Sequence, residues 1–170
     1  MNIIIEGCDG VGKTTLVNKL KKYYGVDSIR LSYKDPTDFE FYDRILEKSD
    51  CIFDRHFLSE IVYSKLFNRE SVIDFENTEK LLNKAHELNI PIFILDTDKS
   101  IILDRLLARG TEHGTILNNV SYLQDSFYTL STLYGIEIID TTKVSFEEII
   151  GKVEAYREKN RSKTTKYLTR

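Results

Sequence analysis

With two prolines and no low-complexity stretch in 170 residues, the chain has no linker along which it could divide. One compact domain suits that length. Cysteine is equally scarce: Cys8 and Cys51 stand alone, neither with a metal-ligating partner at the usual spacing. Both lie in or beside apolar segments and read as buried free thiols, as a reducing cytosol permits. The longest apolar runs, such as Ile3-Ile4-Ile5 and Ile90 to Leu95, are too short to span a bilayer. Met1-Asn2-Ile3 opens neither a basic segment nor a long apolar stretch, so the expectation is a cytoplasmic protein with no membrane partner. A basic excess is missing as well, since 24 Lys and Arg face 27 Asp and Glu, a formal charge of -3. That balance excludes global attraction to nucleic acid or an anionic membrane, and small-molecule partners are expected instead.

A short apolar run followed by a segment of helical periodicity is the pattern that recurs. Strands are expected at Asn2–Glu6, Ser28–Tyr33, Asp50–Asp54, Ile90–Leu95 and Ile136–Ile139. Helices are expected at Lys13–Tyr24, Thr37–Lys48, Phe57–Leu66, Phe75–Leu88, Ser100–Ala108 and Asn119–Tyr134, with a last one from Phe146 through Tyr156. Strands read as apolar throughout, alternating with helices, imply a parallel sheet covered on both faces. The fold class is α/β. The end of the chain changes character: Lys152 to Arg170 carries seven basic residues against Glu154 and Glu158. A solvated helix end, its cations favoured near the helix C-terminus, accounts for that better than an anion-binding tail.

Gly7-Cys8-Asp9-Gly10-Val11-Gly12-Lys13-Thr14 matches G-x-x-x-x-G-K-[ST], with a strand entering and an amphipathic helix leaving. Glycines let backbone N–H groups turn inward around phosphate oxygens, and the helix N-terminus adds its positive end. Lys13 supplies charge to the β and γ phosphates, and the Thr14 hydroxyl ligates Mg²⁺. A nucleoside triphosphate is therefore expected on Gly7 to Thr15. A GTPase would need D-x-x-G after a later strand and N-K-x-D for guanine. The D-x-x-G here, Asp9 to Gly12, falls inside the loop itself, and Asn83-Lys84-Ala85-His86 lacks the Asp. The third strand ends in Asp54, placed to hold magnesium directly or through water, and Arg55 follows with a planar fork suited to phosphate.

Four segments carry a resemblance. Glu6 to Thr15 is similar to the E-G-x-[DE]-G-x-G-K-T-T loop of thymidylate kinases. Asp54-Arg55-His56-Phe57-Leu58-Ser59-Glu60-Ile61-Val62-Tyr63 resembles their D-R-[YH]-x-x-S-x-x-A-Y segment. Leu95-Asp96 with Leu103, Arg105 and Arg109-Gly110 looks like their L-D-x-x-P-E-x-A-L-x-R-x-x-x-R-G stretch, and Asp140-Thr141-Thr142 falls where they carry an adenine-side loop. The resemblance implies a three-layer P-loop NTPase fold with a five-stranded parallel sheet, and Mg-ATP-dependent phosphorylation of a deoxynucleoside monophosphate such as dTMP. It makes Asp9 a contact of the acceptor sugar, Arg55 the grip on the acceptor phosphate, and Arg105 and Arg109 lid cations. Ser59, Glu60 and Tyr63 fall on its acceptor side, Asp140 and Thr141 on its ATP side. It also implies a homodimer. On this reading residues 1–157 form the kinase domain with a lid near 109–118, and 158–170 a basic tail.

Departures from the pattern matter. The R-E-P-G-G-T segment and the long helical insertion are absent; Lys34-Asp35-Pro36-Thr37 is followed by barely a helix before Asp50. Glu60 stands where the family sets a neutral polar side chain against thymine. A deoxynucleoside acceptor would present a neutral 5′-hydroxyl and need a carboxylate as base, a role Asp35 could fill. A nucleotide-binding regulator without catalysis is the remaining alternative.

Overall fold

A computed structural model describes residues 1–32, 38–110 and 114–168, with side chains through residue 160. Asp35 lies outside the described residues. Five parallel strands form one sheet in the order β2-β3-β1-β4-β5: β1 (Ile3–Glu6), β2 (Asp27–Arg30), β3 (Cys51–Asp54), β4 (Ile92–Asp96) and β5 (Glu137–Asp140). Helices α1 (Lys13–Tyr24), α2 (Phe39–Leu46), α3 (Phe57–Leu66) and α4 (Phe75–Glu87) belong to the first half. In the second half come α5 (Lys99–Ala108), α6 (Gly114–Asn118), α7 (Val120–Tyr134) and α8 (Phe146–Leu168). This is the three-layer α/β arrangement expected of alternating elements.

Burial explains which strands read as continuous apolar runs. β1 sits at the centre, and Ile3, Ile4 and Ile5 are wholly inaccessible, as are Ile52 and Phe53 on β3. The expectation that every strand is apolar fails at the two edges. β2 reads Asp-Ser-Ile-Arg and β5 Glu-Ile-Ile-Asp, because an edge strand has a solvated side and tolerates charge there. β4 starts at Ile92 rather than Ile90; the Pro91 carbonyl still accepts from Ile4 N at 2.9 Å. The short α6 is an addition, in the stretch expected to be a lid. α8 runs on through residue 157 to Leu168, so no helix break marks the start of the basic segment.

Register places the chemistry. Ile5 pairs with Asp54, Glu6 with Ile94, and Asp96 with Asp140, so four neighbouring strands end in carboxylates at one rim of the sheet. Parallel strands bring all their carboxyl ends together there.

Candidate active site

The phosphate loop depends on two close approaches. Gly7 has φ +131°, and a Cβ there would lie 2.4 Å from the Leu95 carbonyl oxygen on β4. Gly10, at φ +85°, would meet Ile102 at 3.0 Å, so its lack of a side chain lets α5 pack on the loop. That packing carries Arg105 over the loop, where Nη1 donates to the Gly10 carbonyl at 3.1 Å. On the other flank the Thr141 hydroxyl donates to the Val11 carbonyl at 2.9 Å.

Lys13 is buried, and its Nζ donates to the Cys8 carbonyl at 2.7 Å. Burial and the nearby Arg55 guanidinium pull its ammonium down to about 8. Burial drives the Cys8 thiol the other way, up to about 12, so it is no nucleophile at neutral pH. The Thr14 hydroxyl donates to Asp54 Oδ2 at 2.9 Å. Asp54 Oδ1 is buried and finds no hydrogen-bond partner among the described residues. A hydroxyl and an unsatisfied carboxylate oxygen are hard oxygen donors, which suits Mg²⁺. Among the described residues no group of three His, Cys, Asp or Glu could hold a metal by itself. Phosphate and water would complete the shell, as is usual for this ion.

Arg55 adopts φ 79°, uncommon for a residue with a side chain, while its N–H donates to the Ile5 carbonyl at 2.9 Å. That turn aims the guanidinium back at the loop, where it pairs with Asp9 Oδ1 and lies 4.6 Å from the centre of the Tyr63 ring. Tyr63 donates its hydroxyl to Asp9 Oδ2 at 2.7 Å. Burial opposes the Asp9 charge, yet Arg55 and Lys13 hold its carboxyl down to about 2. Asp9, Arg55 and Tyr63 are thus one unit, assembled from the loop, the end of β3 and α3.

Beside this unit opens a cavity of about 540 Å³. Ser59, Glu60 and Tyr63 line it, and the Ser59 hydroxyl is already donated to Glu6. Among the lining residues that sequence reasoning missed are Arg30 at the end of β2, Arg69 beyond α3, and Ile116 on α6. Arg69 forks onto Glu60, with both contacts at 2.5 Å. The available signal was Asn68, whose φ of 48° reverses the chain so that Arg69 N donates back to the Ser64 carbonyl at 2.9 Å. Arg105 and Arg109 stand elsewhere, in a smaller cavity of about 280 Å³ with Thr15, Thr141 and Phe146. Asp140 is not among the residues lining that cavity. Its Oδ1 accepts from Thr142 and its Oδ2 pairs with Lys143.

His56, next to Arg55, is buried, and neither ring nitrogen has a hydrogen-bond partner among the described residues. Its ring sits edge-on to Tyr42, Phe53 and Phe57, and burial lowers its pKa to about 3. An unfolded histidine takes a proton near pH 6.5, so this group adds stability above that pH and loses it as pH falls toward 3. The loss runs at about 1.4 kcal/mol per pH unit. His56→Phe should remove it. Urea unfolding at pH 7 and pH 5 should show wild type losing about 2 kcal/mol more than the variant. Equal losses would make the histidine solvated or paired.

No protein-family model matches the chain. A probable thymidylate kinase of Methanocaldococcus jannaschii is 29% identical over 186 residues, covering 92% of this chain and 95% of that protein. The YorR protein derived from the SPbeta prophage of Bacillus subtilis is 28% identical over 117 residues, 65% of this chain and 70% of YorR. The crystal structure of YorR in complex with phosphorylated GDP is similar with a TM-score of 0.76 at 24% identity, over 93% of this chain and 96% of YorR. Deoxyadenosine kinase of M. mycoides with bound dATP reaches a TM-score of 0.56 at 16% identity, over 91% and 99% of the two chains. With the phosphate loop in place, these likenesses support a thymidylate kinase-like P-loop kinase. They likewise support a nucleotide kinase.

Proposed function

We propose that the protein transfers the terminal phosphoryl group of Mg-ATP to a deoxynucleoside monophosphate, thymidylate or one like it, giving the diphosphate used for dNTP synthesis. The cytosol, where ATP and such acceptors meet, is the compartment this implies. The observation that carries the reading is the charge of the larger cavity. Arg30, Arg55 and Arg69 line it against Asp9 and Glu60, and both carboxylates are engaged by arginines. A surplus of guanidinium groups fits an acceptor that already bears a phosphate. A neutral 5′-hydroxyl would leave that surplus of positive charge without an anion to meet. The kinship with a probable thymidylate kinase supports the same choice.

Each residue then has a task. Backbone N–H groups of Gly7 to Thr15 and the Lys13 ammonium hold the donor's phosphates. Thr14 Oγ1 and Asp54 Oδ1 would hold the magnesium, which neutralises phosphate charge when bound. Arg55 turns from Asp9 to the acceptor phosphate, freeing Asp9 for the acceptor sugar. Arg105 and Arg109 supply cations from the donor side, with Thr141 flanking the same cavity. An acceptor phosphate already presents an anionic oxygen, so transfer needs alignment and charge neutralisation rather than a base.

ADP release should be measured with ATP and Mg²⁺ plus each deoxynucleoside monophosphate, then each deoxynucleoside. Turnover with a monophosphate is the expected result. Turnover with nucleosides alone would make the protein a deoxynucleoside kinase; nucleotide binding without any turnover would make it a regulator.

A further inference from the structure

We propose that Thr141 is a positioning residue for the phosphate loop: from outside the loop its hydroxyl aims the Gly12 N–H, and so sets how tightly a polyphosphate is gripped. It does this through the loop rather than by touching the nucleotide. The inference rests on the reading above, that the loop takes the donor's phosphates.

A trans peptide is planar, and its C=O and N–H point in opposite directions. Whatever holds one residue's carbonyl therefore aims the N–H of the next. Between β1 and α1 the chain is neither strand nor helix, so no regular ladder fixes these peptides. Side chains hold them instead. The Cys8 carbonyl accepts from the Lys13 ammonium at 2.7 Å. The Gly10 and Val11 carbonyls are taken by other elements: Gly10 accepts from Arg105 Nη1 at 3.1 Å and Val11 from Thr141 Oγ1 at 2.9 Å. Arg105 comes from α5 and Thr141 from the turn after β5. Drawing both carbonyls outward leaves the N–H groups of Val11 and Gly12 on the opposite face, the one a phosphate needs. The two side chains bracket Gly12, where a Cβ would lie 3.8 Å from Arg105 Nη1 and 4.0 Å from Thr141 Oγ1. Gly12 also opens α1 with no side-chain cap of its own.

The root of Thr141 is firm. Its N–H donates to the Asp96 carbonyl at 2.9 Å, carrying the β4–β5 ladder one step past the pairing of Asp96 with Asp140. Asp140 Oδ1 accepts from the N–H and the hydroxyl of Thr142 at 2.9 and 2.7 Å, which closes the turn. From α7, Gln124 Nε2 donates to Asp96 Oδ1 at 2.8 Å and to the Thr97 carbonyl at 2.9 Å. A hydroxyl has one proton to give, and that of Thr141 goes to Val11. It has none left to donate to a phosphate or a base, although Thr141 lines the smaller cavity.

The probe is magnesium tripolyphosphate, which carries a donor's phosphates and no nucleoside. Calorimetric titration should show that the wild-type protein binds it and that Lys13→Ala does not, which places the probe on the loop. Thr141→Val keeps the shape and loses the hydroxyl; it should weaken tripolyphosphate and ATP alike, each by about five- to tenfold. Thr141→Ser keeps the hydroxyl and should stay within about twofold of wild type. In turnover with a monophosphate acceptor, Thr141→Val should lower kcat/KM for ATP by a similar factor and leave the acceptor's KM unchanged. A loss confined to ATP, with tripolyphosphate binding unaltered, would mean that Thr141 touches the nucleoside, and overturns the proposal. Thr141→Ser as weak as Thr141→Val overturns it too, as does tripolyphosphate binding that survives Lys13→Ala. No turnover with any monophosphate, alongside weakened tripolyphosphate binding in Thr141→Val, would defeat the kinase reading and leave the positioning role standing. Turnover with unaltered tripolyphosphate binding would do the reverse.

Discussion

Lys13→Ala should lower kcat/KM for phosphoryl transfer by about 10³-fold or more, roughly 4 kcal/mol of transition-state stabilisation. The magnitude follows from where the ammonium sits. It is buried beside the phosphate loop, in surroundings where water screens its charge poorly. Its hydrogen bond to the Cys8 carbonyl shows it already aimed into the loop. Structure should survive the change, because burial and Arg55 both disfavour that charge in the free protein. Removing it relieves a desolvated cation. The expected pair of results is therefore a nearly inactive enzyme whose thermal midpoint is unchanged or raised. Turnover within tenfold of wild type would mean that the loop does not hold the reacting phosphates.

Glu6→Ala should be the most destabilising single change, costing about 3–5 kcal/mol. Glu6 ends β1 and is wholly inaccessible. Its Oε1 accepts from the backbone N–H groups of His56, Leu58 and Ser59 at 2.9, 3.1 and 3.3 Å, and Oε2 accepts the Ser59 hydroxyl. Those are the unpaired donors at the start of α3, whose flanking residue His56 offers no side-chain cap. One carboxylate from the neighbouring strand thus caps the helix that follows Arg55. Alanine would leave three N–H groups buried without acceptors. Burial is the foremost influence on Glu6 and raises its pKa, so the neutral Glu6→Gln should cost only about 1–2 kcal/mol. Denaturant unfolding distinguishes the two; a loss below 1 kcal/mol for Glu6→Ala would rule out the capping role.

Most of this framework could be read from residue order. Central strands were visible because burial on both faces demands continuous apolar residues, as at Ile3 to Ile5 and Cys51 to Phe53. The phosphate loop was visible because its spacing is local: every group from Gly7 to Thr14 acts within one turn of chain. Asp54 and Arg55 were visible for the same reason, sitting where an apolar run ends. Edge strands were legible only in part, since pairing on one side leaves the residues free to be charged, and α6 was too short to show a period.

The larger cavity belongs to the other category. Asp9 meets Arg55 and Tyr63 across separations of 46 and 54 residues, and Glu6 meets α3 across about 50. Arg69 had no motif to mark it; it reaches Glu60 because a left-handed Asn68 turns the chain back. Residue order by itself determined the layered fold, the glycine-rich loop and the strand-end pair of Asp54 and Arg55, since each follows from short-range periodicity or spacing. Which arginines line the second cavity, and which carboxylates they engage, was decided only when parallel strands brought distant segments to one rim. Pairing between side chains far apart in sequence leaves no periodic trace.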